Sequence, residues 1–176
     1  MSKQFDHAFD LIIGVEGGYV NHKNDIATNW GITIDTLSSV LKRTATINDI
    51  KSLSKETAKR IYKEKYWDHL KLDLIADETI QYLLFDSGVN FGVGAVLKRV
   101  QQLLKLPTTM QMDVATIKAI NESKRLKFCF DFAKETMKGY VKIVKDNPSK
   151  MVFFSGWANR VFKMYDLIRQ SVELKA

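Results

Sequence analysis

One cysteine, two prolines and the lack of any apolar run longer than a few residues set the first limits on this 176-residue chain. With Cys129 alone, no intramolecular disulfide can form, and the usage suits a reducing compartment. Cys129 sits in LKFCFDF, where a small buried hydrophobe is the expected role rather than a nucleophile. No stretch reaches the length needed to span a bilayer as a helix. In the opening MSKQFDHAFDLIIG, Asp6, His7 and Asp10 interrupt any apolar core of an export signal, so none is expected and the cytoplasm is the expected place of accumulation. His7, His22 and His69 share no metal-ligand spacing. There is no phosphate loop, dinucleotide fingerprint or nucleophile elbow, so neither a metal nor another cofactor is expected.

What is present is the composition of an ordinary globular protein, 45% hydrophobic and 27% charged. At this length we expect one compact unit with a well-buried core, with a domain boundary near Pro107 or residue 123 as a possibility. Charge is unevenly placed. Residues 1–123 hold fifteen Lys/Arg and fifteen Asp/Glu, whereas residues 124–176 hold twelve and five, which is the whole excess of +7. A basic last third suits a polyanion or an anionic leaflet, or is simply a solvated face. Its basic residues are not interleaved with aromatic platforms in a nucleic-acid module, so no nucleic-acid partner is expected.

Apolar residues recur at spacings of three and four, which predicts a mainly α fold. Phe5, Ala8, Phe9, Ile12 and Ile13 form one stripe, and the helix should stop near Gly14 because Gly17 and Gly18 follow. Residues 17–33, GGYVNHKNDIATNWGIT, are turn-rich with β-prone flanks and predict a small irregular hairpin. Further helices are expected at about 35–43, 55–67 after a Ser54 cap, 76–90, 93–105, 113–121 after an Asp113 cap, 124–146 and 157–173. The last places Trp157, Val161, Met164, Tyr165, Ile168 and Val172 on one face.

Residues 16–33 crowd carboxylates, hydroxyls and glycines into one irregular stretch. Breaking a glycosidic bond needs a protonated carboxylic acid for the leaving oxygen and a second polar or anionic group on the opposite face. Glu16 follows Leu11, Ile12, Ile13 and Val15, and partial burial there would raise its pKa as a general acid requires. Asp25, among Asn21, Lys23 and Asn24, should stay ionised. The alternative for Glu16 is an exposed carboxylate at a helix end.

The whole string VEGGYVN, then Asp25, then ATNWGIT resembles the opening motif of the glycoside hydrolase family 108 muramidases of phage and prophage endolysins. IYKEKYWDHL around Tyr66 and Trp67, LLFDSGVNFG around Asp86 and Asn90, and FFSGWANRV around Trp157, Asn159 and Arg160 look like later blocks of the same family. The resemblance implies a lysozyme-like helical fold with a small β-hairpin at the active site. It implies a catalytic lobe over residues 1–106 and a helical, basic, peptidoglycan-binding lobe over 107–176. It further implies hydrolysis of the β-1,4 bond between N-acetylmuramic acid and N-acetylglucosamine, with Glu16 as the acid. Asp25 and Thr28 match the water-holding Asp and Thr of phage-type lysozymes, which implies inversion, and Thr33 is the reserve for that hydroxyl. Tyr19, Trp30, Thr33, Trp67, Asp86 and Asn90 are the candidate substrate-binding residues. The family usually has two glycines between the Asp and the Thr of this hairpin, whereas Ile26 and Ala27 alone stand here, a loop shorter by two that bears on the reach of Asp25 and Thr28.

Competing readings stay open at this point. Tyr66 and Trp67 stack on a sugar or pack in the core. Asp86 and Asn90, one helical turn apart, face a cleft or bridge helices. A lytic transglycosylase would close an anhydro ring instead of admitting water, and a non-catalytic wall-binding module would keep its activity without Glu16. The expected partners are peptidoglycan glycan strands, with lipopolysaccharide or an anionic membrane surface meeting the basic C-terminal helices. An endolysin without an export signal accumulates in the host cytoplasm and needs a holin to reach the wall; a monomer is expected.

Overall fold

The computed structural model describes residues 2–13, 18–21 and 27–173. The chain divides into two compact units, Met1–Asp68 and His69–Ala176.

The first unit begins with α1 (Lys3–Ile13), which buries Phe5, Ala8 and Phe9, the spacing of a single helical stripe. Three short strands follow, β1 (Tyr19–Asn21), β2 (Ala27–Asn29) and β3 (Ile32–Thr33), antiparallel in the order β1-β2-β3. Next come α2 (Ile34–Leu41), α3 (Ile47–Lys51) and α4 (Lys55–Tyr62). Each of these helices starts on a side chain that accepts an otherwise orphaned backbone N–H: Thr33 for α2, Thr46 for α3 and Ser54 for α4. At α3, Asp49 reaches back to the Thr46 N–H at 2.7 Å and closes a capping box. This helix was not expected from the sequence, because five residues are too few to show a period.

The chain leaves α4 through a wider turn over Lys63–Trp67, closed by the Asp68 N–H on the Lys63 carbonyl at 2.9 Å. That turn swings Trp67 inward. Its ring is fully buried, edge-on to Phe5 at 5.3 Å, while Phe9 meets Tyr62 edge-on at 5.4 Å.

The second unit is helical: α5 (Glu78–Phe91), α6 (Val93–Leu103), α7 (Val114–Asn121), α8 (Arg125–Asp146) and α9 (Phe154–Glu173). α5 is capped by Asp77 and buries every residue from Ile80 to Gly88. A helix buried all round is the centre of its unit, and α6, α8 and α9 pack against it. A short 3-10 turn, Pro148–Phe153, joins α8 to α9. Of the expected face of α9, Val161, Met164 and Ile168 are buried, whereas Val172 is exposed. Gln101 organises the link from α6 to α7. Its amide donates to Thr109 Oγ1, the Gln111 carbonyl and Thr116 Oγ1, and its oxygen accepts from the Met110 N–H. No helix among the described residues is long and apolar enough to cross a membrane.

Candidate active site

The three-stranded sheet carries the candidate residues Tyr19, Thr28 and Thr33. β2 alternates buried, half-buried, buried, with Ala27 and Asn29 inward and Thr28 on the opposite face. Directly paired residues in an antiparallel sheet share a face. Thr28 pairs with Val20 on one side and Thr33 on the other, so Val20, Thr28 and Thr33 line the outer face.

The two threonines are differently engaged. Thr33 Oγ1 accepts from the Thr36 N–H at 3.2 Å and donates to the Thr36 hydroxyl, fixing the start of α2. No described residue hydrogen-bonds the Thr28 hydroxyl. Among the described residues the unengaged hydroxyl of the pair is therefore that of Thr28.

The inner face is a structural lock. Asn29 is almost wholly buried, and its amide donates to the carbonyls of Ile50 at 2.9 Å, Lys51 at 3.3 Å and Leu53 at 3.2 Å. These carbonyls lie at and just past the C-terminal end of α3. The Trp30 indole N–H donates to the same Leu53 carbonyl at 3.1 Å. Asn29 was not singled out from the sequence. A buried Asn has no local signature unless its partners, twenty residues on, are known.

Trp30 and Gly31 turn β2 into β3 with φ values of 52° and 72°, the left-handed pair that a two-residue hairpin needs. Tryptophan is an uncommon choice there and carries backbone strain of about 1–2 kcal/mol. The indole bond to Leu53 and a bond from the Tyr62 hydroxyl to the Trp30 carbonyl at 3.3 Å hold it. At Gly31 a Cβ would stand 2.5 Å from that Tyr62 hydroxyl and 3.8 Å from Ile13 Cδ1. Ile13 is the last residue of α1, so the helix end from which the chain proceeds to Glu16 adjoins the hairpin turn.

Glu16 and Asp25 lie outside the described residues. Tyr19 is half-buried with Lys51 Nζ 5.4 Å from its ring centroid, and Trp30 is half-buried with its N–H already used. Trp67 is corrected: a fully buried ring has no face for a sugar to stack on, and its role is the core. Tyr66 is half-buried beside Tyr62, and burial pushes its phenol upward.

Asp86 and Asn90 belong to the second unit. Asp86 is 1% exposed and accepts from Arg160 Nη1 at 2.6 Å, joining α5 to α9. Burial raises its carboxyl above the ordinary value, against the opposing pull of Arg160 and Lys163. Burial would lower Arg160, but the charge and hydrogen bond of Asp86 outweigh that and hold it more firmly protonated. The second Asp86 oxygen, the Ser87 hydroxyl and the Tyr140 hydroxyl are buried without hydrogen-bond partners. A carboxylate so enclosed bridges helices rather than facing a ligand, which corrects its expected substrate-binding role. The exposed Asn90 turns its amide back onto the Asp86 carbonyl at 2.7 Å. Among the described residues no group of His, Cys, Asp and Glu is arranged to hold a metal ion.

The sequence profile of the family described as Glycosyl hydrolase 108 matches residues 9–92. No curated protein matches the chain. Among solved structures, the one titled "Structure of Brucella abortus SagA" is similar in fold, with a TM-score of 0.82 at 24% identity over 94% of this chain and 94% of that one. The mainly α, lysozyme-like architecture with its small sheet agrees with that likeness.

Proposed function

We propose that this chain, whose residues 9–92 match the glycosyl hydrolase 108 profile, is a peptidoglycan-hydrolysing muramidase that cuts the β-1,4 bond between N-acetylmuramic acid and N-acetylglucosamine with Glu16 as the general acid. Glu16 donates its proton to the glycosidic oxygen as the bond to the anomeric carbon breaks. Asp25 and Thr28 hold a water on the opposite face of the sugar, Asp25 takes the proton as the water oxygen bonds to carbon, and the configuration inverts. The observation that carries this reading is the family match over the stretch that holds Glu16, Asp25 and Thr28 together. The Thr28 hydroxyl, unengaged among the described residues, supports its choice over Thr33.

In this reading the catalytic lobe is residues 1–106, and the basic residues 107–176 hold the wall. The protein is a monomeric endolysin of a phage or prophage that accumulates in the host cytoplasm and reaches the wall once a holin opens the inner membrane.

The test is digestion of purified peptidoglycan by the native chain, Glu16→Gln and Thr28→Val, with fragments reduced by borohydride and weighed. Reducible muramic acid ends from the native chain, lost in Glu16→Gln, are expected. Anhydro ends would instead identify a lytic transglycosylase, and reducible glucosamine ends would move the cut to the other bond.

A further inference from the structure

Met151, Val152 and Phe153 are 59%, 76% and 53% exposed. The other large apolar side chains exposed among the described residues stand singly along the chain, whereas these three are consecutive. They lie on the 3-10 turn Pro148–Phe153, within an unbroken run of exposed residues from Lys145 to Phe153. The turn is built rather than loose. Asn147 Oδ1 accepts from the Ser149 N–H at 3.2 Å and from its hydroxyl at 2.7 Å, Pro148 fixes the first turn, and the Lys150 N–H closes onto the Asn147 carbonyl at 3.0 Å. It caps the junction of α8 and α9, the two longest helices described, of 22 and 20 residues.

Charge surrounds the apolar tip. Of the six Lys/Arg from Lys138 to Lys163, Lys138 pairs with Glu135, Lys142 with Asp146 and Arg160 with Asp86, each at 2.6 Å. Neither Lys145 nor Lys150 has an acidic partner among the described residues. Lys150 Nζ lies 5.6 Å from the Phe153 ring centroid, and Phe153 in turn is 6.0 Å from Trp157. Trp157 stacks on Tyr140 at 4.9 Å. An apolar tip therefore stands on an aromatic column with ammonium groups at its rim, the arrangement that places apolar side chains below and lysines at the headgroups of a bilayer.

From this juxtaposition we propose that the α8–α9 tip, residues 145–153, docks the protein on an anionic lipid surface. A wall polyanion would satisfy the lysines and leave the three apolar side chains in water. A second copy would bring two like-charged tips together. Only an anionic bilayer meets both features. The inference is independent of the glycosidase reading and concerns where the protein stands rather than what it cuts.

The test is co-sedimentation of the full chain with vesicles of phosphatidylglycerol and phosphatidylcholine, and with phosphatidylcholine alone. Binding to the anionic vesicles is expected to be stronger by about tenfold or more at low ionic strength and to weaken with salt. The triple variant Met151→Ser, Val152→Ser, Phe153→Ser is expected to lose about tenfold or more of that binding. Lys145→Gln with Lys150→Gln is expected to lose about as much. All these side chains are exposed, so the variants should unfold at the native temperature, and this is checked alongside. Equal binding to both vesicle types, or anionic binding that neither variant changes, would overturn the proposal. So would a dimer that the triple variant converts to monomer, or loss of binding to purified cell walls with vesicle binding intact.

Discussion

In the first unit, Thr33, Thr46, Ser54 and Asn29 each place an oxygen or an amide on backbone groups that a helix end leaves open. In the second, Asp86, Ser87 and Tyr140 bury polar atoms that find no partner. These two sets of polar side chains thus differ in what they meet, although Asp77 and Asp113 cap helices in the second unit as well. Near the surface, polar side chains finish short helices that could not stand alone. Of the three buried in the second unit, Asp86 is held by its ion pair with Arg160 and Tyr140 by the aromatic neighbours Phe91 and Trp157, while Gln101 in the same unit is bonded at both its amide nitrogen and its oxygen. Two aspartates make the contrast concrete. Asp49, bonded to Arg43 and to Thr46, has its carboxyl held well below the usual range, whereas burial pushes Asp86 above it.

This contrast predicts where substitutions will tell on activity and where on stability. The largest effect is expected at Glu16: Glu16→Gln should lower the rate of peptidoglycan digestion by about 10²- to 10⁴-fold while leaving the unfolding temperature unchanged. Next is Arg160→Ala, which strands the buried Asp86 carboxylate. It should cost about 3–5 kcal/mol in denaturant unfolding, and pairing it with Asp86→Leu should recover much of that loss. If Arg160→Ala alone is harmless, the ion pair does not hold α5 to α9.

In the first unit Asn29→Ala should cost about 1–3 kcal/mol, since a buried amide shared by the Ile50, Lys51 and Leu53 carbonyls is lost, although Leu53 keeps the Trp30 indole and Ile50 the Leu53 N–H. Smaller still is the difference between the threonines. Thr33→Val should cost about 1 kcal/mol through the lost helix cap, while Thr28→Val should leave stability nearly unchanged and lower activity. The reverse pattern would make Thr33 the reacting hydroxyl.

The pH dependence sharpens the comparison between the aspartates. The folded state holds a proton on Asp86 more tightly than the unfolded chain does, so its contribution falls as pH rises from about 4, the ordinary carboxylate value, through the raised folded value. Asp49 is the opposite, contributing stability above the ordinary value that is lost as pH falls below it. Unfolding midpoints measured across pH should therefore flatten on the neutral side in Asp86→Asn and on the acid side in Asp49→Asn.

Much of this was legible in the sequence, for reasons that differ by element. The stripe Phe5, Ala8, Phe9 foretold α1, and Ser54 and Asp113 stand at the caps expected of them. The helix Ile47–Lys51 went unseen by period, although Thr46 and Asp49, three apart, were a readable sign of its start. Trp67 was legible as an aromatic at a helix end with core and sugar-stacking both open, and the wider turn that rotates it inward, which leaves no trace in local spacing, decides for the core. Asp86 was legible as a helix-borne carboxylate, yet its partner lies seventy-four residues away on α9, and only the packing joins them. Thr28 was preferred to Thr33 on paper; strand register puts both on one face, and the helix cap at Thr33 is what tells them apart.

The turn at Trp30 and Gly31 has a consequence for how this chain can change over evolutionary time. The Leu53 carbonyl receives both Asn29 and Trp30, and the Tyr62 hydroxyl both bonds the Trp30 carbonyl and fills the space beside Gly31. Positions 29, 30, 31, 53 and 62 are thus one epistatic group. Replacing Tyr62 would both free room at Gly31 and remove a tie from Trp30, so the effects of paired substitutions should not add. A lineage that exchanges this tryptophan for the more usual asparagine keeps the Tyr62 bond, which ends on the backbone carbonyl, but forgoes the indole bond to Leu53.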